Sequence, residues 1–352
     1  MTNQNTHPID GAHDVVVIGG GAAGLSGALS LARARRDVLV VDDDRPRNAP
    51  ADGVHAFLTR DGVAPRELTR LGRAEVEGYG GAVTSGTVTG VRRDDDPDHP
   101  FVVTVTAPGA DDREVRARRL LVTSGLVDEL PAVDGLAERW GRDVVHCPYC
   151  HGWEVQDRVI GVLATSPFAM HQALLFGQWS RDIVLFTNDS FTPDDEQAEQ
   201  LRARGVTVVD GPVARLRVED DALTGVTLGD GRTVAVGALA VMARVRSRAG
   251  FVADLGLEAT EHPAGVGTHL ATVEPFTGRS AVPGVWLAGN VTEPMAQVVA
   301  AAAAGTMAGA AINMDLITAE VAAAVAARRL DENTDERPDD GTDERTDERI
   351  DA

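Results

Sequence analysis

The chain contains no lysine, so all 33 of its basic residues are arginine, and 54 acids stand against them. The resulting formal charge of −21 repels phosphate backbones and anionic lipid surfaces, which makes nucleic acid and membranes poor partners. The lack of lysine, with the load of Ala, Gly and Val, matches a GC-rich genome; a salt-adapted host would look the same. Two cysteines in 352 residues exclude a disulfide scaffold. Met1 to Asp14 lacks the basic and apolar regions of a signal sequence, and no later segment reads as an uninterrupted run of about 18 apolar residues. A cytoplasmic protein is the expectation.

What is present points to two domains of ordinary size, since 43% of the residues are hydrophobic and the length exceeds that of one small domain. Val15-Val16-Val17-Ile18, the run Gly19-Gly20-Gly21-Ala22-Ala23-Gly24, a helical stretch to about Arg35 and Val38-Leu39-Val40-Val41-Asp42 make one βαβ unit. Pro65 to Tyr79 reads as a helix, Ala82 to Val91 and Phe101 to Ala107 as strands, and Arg119 to Val122 as a buried strand ending in Thr123-Ser124-Gly125. A second α/β unit follows: strand Arg158 to Ala164, helix Phe168 to Trp179 and strand Asp182 to Phe186, with further strands as far as Val241 to Arg248. Val285-Trp286-Leu287-Ala288-Gly289-Asn290 then leads into an Ala-rich helix from Ala296 to about Met314. From Asp331 to Ala352 there are 11 acids, 3 arginines and one large apolar residue, with Thr-Asp-Glu-Arg repeating at Thr334, Thr342 and Thr346. Such a composition cannot bury enough surface to offset chain entropy, so a disordered acidic tail is expected over 331–352.

The first glycine turn follows a strand, opens a helix and is trailed by Asp42, 23 residues after Gly19. That is the context of a dinucleotide site. Gly19 allows the tight turn, Gly21 lets backbone approach a pyrophosphate, and Gly24 lets helix and strand pack closely. Ala22 and Ala23 present helix N-terminal amides to the phosphates, and Asp42 is the acceptor for ribose hydroxyls. FAD and NAD both suit such a turn. Ala288-Gly289-Asn290 discriminates, because it resembles the second FAD motif of flavoproteins with two dinucleotide folds, where a strand ends in Gly-Asp and the acid holds the ribityl chain. Here the acid is replaced by Asn290.

Both cysteines lie in Cys147-Pro148-Tyr149-Cys150-His151-Gly152. A CxxC is half a zinc site or a redox pair. Zinc needs two more soft ligands, and only His146 and His151 flank the pair, too close in sequence for an easy tetrahedron. No metal is expected. Pro148 stiffens the turn, a helix starting here lowers one thiol pKa, and His151 is positioned to move the proton of thiol–disulfide exchange. Trp140, Tyr149 and Trp153 suit either an apolar substrate pocket or the core.

With these motifs in this order over about residues 13 to 316, the chain resembles the low-molecular-weight thioredoxin reductases, a class of flavoprotein disulfide reductases. Its Cys-Pro-Tyr-Cys-His-Gly form is most similar to FAD-dependent dithiol oxidases of the gliotoxin and holomycin type, which close disulfides in small molecules and pass electrons to oxygen. The resemblance implies two Rossmann-like dinucleotide-binding domains, the first discontinuous (10–128 with 249–325) and binding FAD, the second inserted (129–248) and carrying the dithiol. It implies catalytic roles for Cys147, Cys150 and His151, which stands where reductases have an acid. Flavin contacts are implied at Ser124, Gly125, Gly289, Asn290, Gln297 and Val298, and flavin or substrate contacts at Asn48 and His55. It also implies a homodimer acting on a small dithiol or a protein thiol or disulfide.

A reductase of this class needs a second glycine turn for NADPH and a basic cluster for its 2′-phosphate. Here the turn reads Ala164-Thr165-Ser166-Pro167 and the cluster position reads Thr187-Asn188-Asp189. Ser166 and Pro167 crowd the pyrophosphate approach and Asp189 repels a phosphate, so the nicotinamide site reads as degenerate. Electrons then enter through the dithiol. The alternatives are an NAD(P)H-dependent thioredoxin-disulfide reductase and a non-catalytic flavin-binding regulatory protein.

Overall fold

A computed structural model describes residues 11–107, 109 and 111–335. Residues up to Ile312 form one compact unit that holds both main sheets. In the first sheet, β1 (Ala12–Ile18), β2 (Val38–Asp42) and β3 (Ala82–Ser85) run parallel, and β4 (Thr87–Arg93), β5 (Phe101–Thr106) and β6 (Arg113–Val122) complete the order β3-β2-β1-β6-β5-β4. The strand Val285–Leu287 pairs with β6 in parallel, so chain from near the C-terminus joins the first-formed sheet. Helices α1 (Ala22–Arg33) and α2 (Pro65–Gly78) follow β1 and precede β3. Val15, Val16 and Val17 are fully buried, as expected of a central parallel strand covered on both faces. Each such side chain contributes roughly 1.5–3 kcal/mol of burial free energy.

β7 (Leu126–Glu129) leaves the first sheet, and α3 (Leu136–Arg139), β8 (Val144–Val145) and α4 (Pro148–His151) lead into the second. That sheet adds β9 (Ile160–Leu163), α5 (Ala169–Phe176), β10 (Ile183–Phe186), α6 (Asp195–Ala203) and β11 (Thr207–Val209). An antiparallel β-sheet follows, of β12 (Val213–Glu219), β13 (Ala222–Leu228) and β14 (Thr233–Val234). β15 (Ala238–Val241) returns to the second sheet, which is all parallel in the order β11-β10-β9-β15-β8. β16 (Arg244–Ser247) pairs antiparallel with β7, so the chain enters and leaves the second sheet through one two-stranded ribbon. The fold is therefore mixed α/β with two Rossmann-like sheets, as the sequence predicts.

Several boundaries differ from expectation. The strand expected over 82–91 is broken at Gly86, where a Cβ would stand 2.7 Å from Val105. α5 is shorter than Phe168 to Trp179, ending before Gly177. β12 was not foreseen, because its alternation is carried by arginines and only Val213 and Leu216 are buried.

The last helix, α7 (Val298–Asp335), corrects two expectations. It runs well past Met314 and through Asp331 to Asp335, because Ala, Glu and Arg are strong helix formers and extension of an existing helix costs little. The remainder of the expected tail, 336–352, lies outside the described residues. The segment Val298–Asp331 is also long and apolar enough to cross a membrane by length and composition, although Thr306, Asn313, Asp315 and Glu320 interrupt the apolar run. Close packing accounts for its small residues: a Cβ at Gly305 would stand 1.9 Å from Ala23 O and one at Gly309 2.6 Å from Gly27 O, both in α1. One such helix is weak support for a membrane span. From Asn313 onward the chain forms a second unit, in which Met314, Ile317, Val321 and Val325 are exposed at helical spacing.

Candidate active site

At the C-terminal ends of the first sheet's parallel strands, where such folds bind ligands, a cavity of about 300 Å³ opens. Gly19 and Gly24 are dictated by the fold itself. Gly19 has φ +106° and a Cβ there would lie 2.5 Å from Thr123 O; a Cβ at Gly24 would lie 1.8 Å from Gly19 O. The Thr123 hydroxyl donates to Ile18 O (3.0 Å) and Gly19 O (2.8 Å), tying β6 to the turn. Gly21 differs, for nothing stands within 4 Å of its would-be Cβ, which would project into open space. A glycine the fold does not require, facing a cavity, is what close approach of a pyrophosphate calls for.

Of the residues singled out from sequence, Gly19, Gly21, Ala22, Ala23, Asp42 and Asn48 line this cavity. So do Ser124, Gly125, Asn290 and Val298. Gly24 and Gly289 support it from behind, a Cβ at Gly289 falling 2.8 Å from that of Ala23. Asp42 Oδ1 accepts the Gly20 N–H at 2.9 Å, and Arg73 of α2 pairs with both Asp42 and Asp44. Ser124 donates to Arg248 O at 2.5 Å. Asn290 Nδ2 points to three carbonyls, Glu293 O (3.1 Å), Pro294 O (3.3 Å) and Ala296 O (3.0 Å), which fixes the amide orientation and turns Oδ1 away from them. His55 and Gln297 are not among the lining residues; both stand on the dithiol side.

Sequence reading missed the arginines. Arg45, Arg47 and Arg248 line the cavity. Arg47 makes a bidentate pair with Asp128 (2.9 and 2.6 Å) and Arg248 reaches Asp43 at 3.1 Å. A CxxC or a GxGxxG is a local pattern, whereas these partners are 81 and 205 residues apart.

The dithiol sits at the start of α4, with Cys147 as N-cap residue and Pro148 in the first turn. Both cysteines are free thiols and half-buried. Cys150 donates its S–H to Cys147, and the amides of Cys150 and Tyr149 and the Gln297 side chain also face that sulfur, so its pKa falls to about 7 although burial opposes this. The same shared proton, with burial, pushes Cys150 up. Burial lowers the His151 pKa, and both of its ring nitrogens are buried without a partner. His146 is likewise lowered by burial and its Nδ1 lies 3.4 Å from Val241 O. Tyr149 packs edge-on against Trp179 at 5.7 Å. Tyr149 and Trp153 are 59% and 70% exposed, while Trp140 packs into the core of the second sheet. Among the described residues no group of three or more His, Cys, Asp or Glu is placed to hold a metal ion.

The turn after β9 is closed by its own side chains. Thr165 donates to Met242 O at 2.7 Å, and Ser166 Oγ accepts from the Phe168 amide at 3.3 Å. Asn188 donates to Ala164 O (3.2 Å) and accepts from Val213 N (2.8 Å), while Thr187 donates to Asp210 (3.1 Å).

The sequence profile for pyridine nucleotide-disulphide oxidoreductases matches residues 13–305. The chain belongs to that family. It is 32% identical over 326 residues to a thioredoxin reductase, sirT, of Leptosphaeria maculans, a match covering 88% of this chain and 95% of that protein. The crystal structure of HlmI superposes with a TM-score of 0.81 at 46% identity, covering 91% of this chain and 98% of HlmI. An oxidoreductase from Agrobacterium tumefaciens gives 0.79 at 37% identity, covering 87% of this chain and 99% of the other. The protein is thus a thioredoxin-reductase-like disulfide oxidoreductase and its cofactor is FAD. The cavity fits that group: open space at Gly21 for a pyrophosphate, Asp42 at the strand end for a ribose, and the free Oδ1 of Asn290 for a hydroxyl-bearing chain.

Proposed function

We propose that this oxidoreductase runs as a dithiol oxidase, closing disulfides in substrate thiols and delivering the electrons through FAD to oxygen. The observation that carries the reading is the second dinucleotide turn. Thr165 donates there to Met242 O, Ser166 accepts the Phe168 amide and Asn188 donates to Ala164 O, while Asp189, and Asp210 paired with Thr187, offer negative charge where a nicotinamide 2′-phosphate would need cations. The bound FAD supplies a two-electron acceptor. Cys147 and Cys150 exchange disulfide with the substrate: two substrate S–H bonds break, one substrate S–S bond forms, and the enzyme disulfide becomes a dithiol. Closing that dithiol again would hand its electron pair to bound FAD, from which oxygen would take it as hydrogen peroxide. Cys147 is the sulfur held as thiolate, and His151, neutral and unpartnered, is the base beside it.

In this reading 10–128 and 249–325 form the FAD domain and 129–248 the inserted dithiol domain. The substrate is a small dithiol or a protein thiol, met at Tyr149 and Trp153, and the protein works in the cytoplasm. A homodimer is supported by the exposed apolar row Met314, Ile317, Val321 and Val325. The test is anaerobic reduction of the bound flavin by dithiothreitol, NADPH and NADH in parallel. The dithiol is expected to bleach it fast and air to restore it with peroxide released, whereas NADPH acts slowly or not at all. Losing a charge-assisted phosphate contact costs about 1.5–3 kcal/mol, on the order of tenfold to a hundredfold in affinity. Rapid bleaching by NADPH, with electrons passing on to a disulfide, would make this a conventional reductase, the activity in whose name relatives such as sirT are described.

A further inference from the structure

A second histidine lies beyond His151. Three residues after it, Glu154 Oε1 stands 3.3 Å from His55 Nε2, and His55 Nδ1 is 3.6 Å from Asp61 Oδ2. His55 sits in a loop closed at its base by Val54 N to Val63 O and Gly62 N to Val54 O, both 2.8 Å. Asp61 is held in turn, its Oδ1 accepting the Ala56 N–H at 2.8 Å. Ala56 and Thr59 are left-handed at φ +58° and +71°, a costly conformation, above all for a β-branched residue. The strained loop thus holds an imidazole between two carboxylates next to the dithiol. Side-chain exposure is 23% for His55, 38% for Glu154 and 70% for Asp61, so the group leads outward to water from the half-buried His151, whose ring nitrogens are themselves buried. The charges facing His151 come from Glu154, Asp52 and His55, and those facing Cys150 from Arg47, Glu154 and the Cys147 thiolate.

We propose that His55, held between Glu154 and Asp61, is the outer member of a proton relay whose inner member is His151. The inference rests on the dithiol-to-flavin reading above. Passing an electron pair from substrate thiols through the enzyme dithiol breaks two S–H bonds and forms one S–S bond; with Cys147 as thiolate and Cys150 as thiol, one proton would travel with the electron pair and the other must leave as the Cys147 thiolate forms. His151 takes that proton from sulfur, but both of its nitrogens are enclosed by protein. Glu154 and His55 carry the proton on to solvent. When oxygen takes the electron pair and leaves as hydrogen peroxide, one proton returns by the same route, so a full turnover is proton-neutral. His55 acts through His151 and is a relay residue, not one that touches the reacting sulfurs.

The experiment follows anaerobic flavin bleaching by dithiothreitol, FAD content, and the NMR titration of the His151 ring in the holoprotein. His55→Gln is expected to keep FAD and slow bleaching about tenfold at pH 7. Added imidazole is expected to restore much of the rate in His55→Ala, which a purely structural role would not allow. Replacing His55 is expected to raise the His151 pKa and Glu154→Gln to lower it, because His55 lowers and Glu154 raises it in the folded protein. Wild-type bleaching rates in His55→Gln, or a His151 titration that neither variant moves, would overturn the relay. If dithiols fail to bleach the wild-type flavin, the oxidase reading falls; the His151 titration, which needs no substrate, still decides whether the relay is wired as stated.

Discussion

Asn290 donates from one nitrogen towards three carbonyl oxygens in the turn before α7, an arrangement open to an amide and closed to a carboxylate. The departure from the Gly-Asp pattern is therefore a structural exchange: the side chain gives its N–H groups to its own loop and keeps one oxygen for the ligand. Asn290→Asp is expected to cost about 1–3 kcal/mol through the donors it removes and to lower the FAD-to-protein ratio on purification. Unchanged flavin content and melting temperature in that variant would refute this account. The dithiol yields two more expectations at the same scale. Cys147→Ser and Cys150→Ser should each retain flavin and lose turnover with thiols, since exchange needs an attacking and a resolving sulfur; activity in either would remove the dithiol from the mechanism. Because Cys147 is lowered to about 7, iodoacetamide alkylation in the reduced protein should rise through pH 7 and level by about pH 8, where an ordinary thiol is still climbing. A midpoint near 8.5 would mean that the Cys150 proton is not shared. These sulfurs and glycines were legible in the sequence because their patterns are local. Arg47, Arg73 and the meeting of Gln297 with Cys147 were not, because only tertiary packing joins positions so far apart.

Glycine placement governs how the elements meet. α1 lies against β1 and β6 only because Gly24 has no Cβ, and against α7 only because Gly27, Gly305 and Gly309 have none. Gly24→Ala is expected to push the Gly19 carbonyl and the Thr123 hydroxyl out of register, costing more than about 3 kcal/mol by overpacking and abolishing FAD retention. A stable yellow protein would contradict that. Gly21→Ala meets no protein atom, so it should fold normally and lose flavin affinity alone. The contrast between these two alanines separates packing from ligand approach. Elements with a clean period were readable in advance: β1, α1, β2 and β10 stand within a few residues of their expected bounds. The misses have physical causes. β12 exposes five of its seven positions, Arg215 and Arg217 among them, and α7 continues into charged residues that disfavour burial but not helix.

At the scale of the whole molecule, the cofactor cavity gathers stretches of chain that are remote in sequence: the turn after β1, the loop after β2, the end of β6, Arg248 beyond the second sheet, and the start of α7. The connection out to the second sheet and back runs through the single ribbon of β7 and β16, beside which Arg47 holds Asp128. A ligand bound across these stretches acts as a clamp on the folded state alone, because the unfolded chain has no such cavity. It stabilises by RT ln(1 + [L]/Kd), about 2.7 kcal/mol at a hundredfold excess over Kd. For a chain of this size each kcal/mol moves the melting temperature by roughly 1–2 °C. Removing FAD is therefore expected to lower the melting temperature by roughly 3–5 °C, and re-adding it to restore the value in proportion to the logarithm of its concentration. Arg47→Met, which cuts the tie to Asp128, should narrow that gap if the ribbon and the cavity stabilise one another, and differential scanning fluorimetry with and without FAD reads it directly. A gap as wide in the variant as in the wild type would show that the ribbon is held independently of the flavin site.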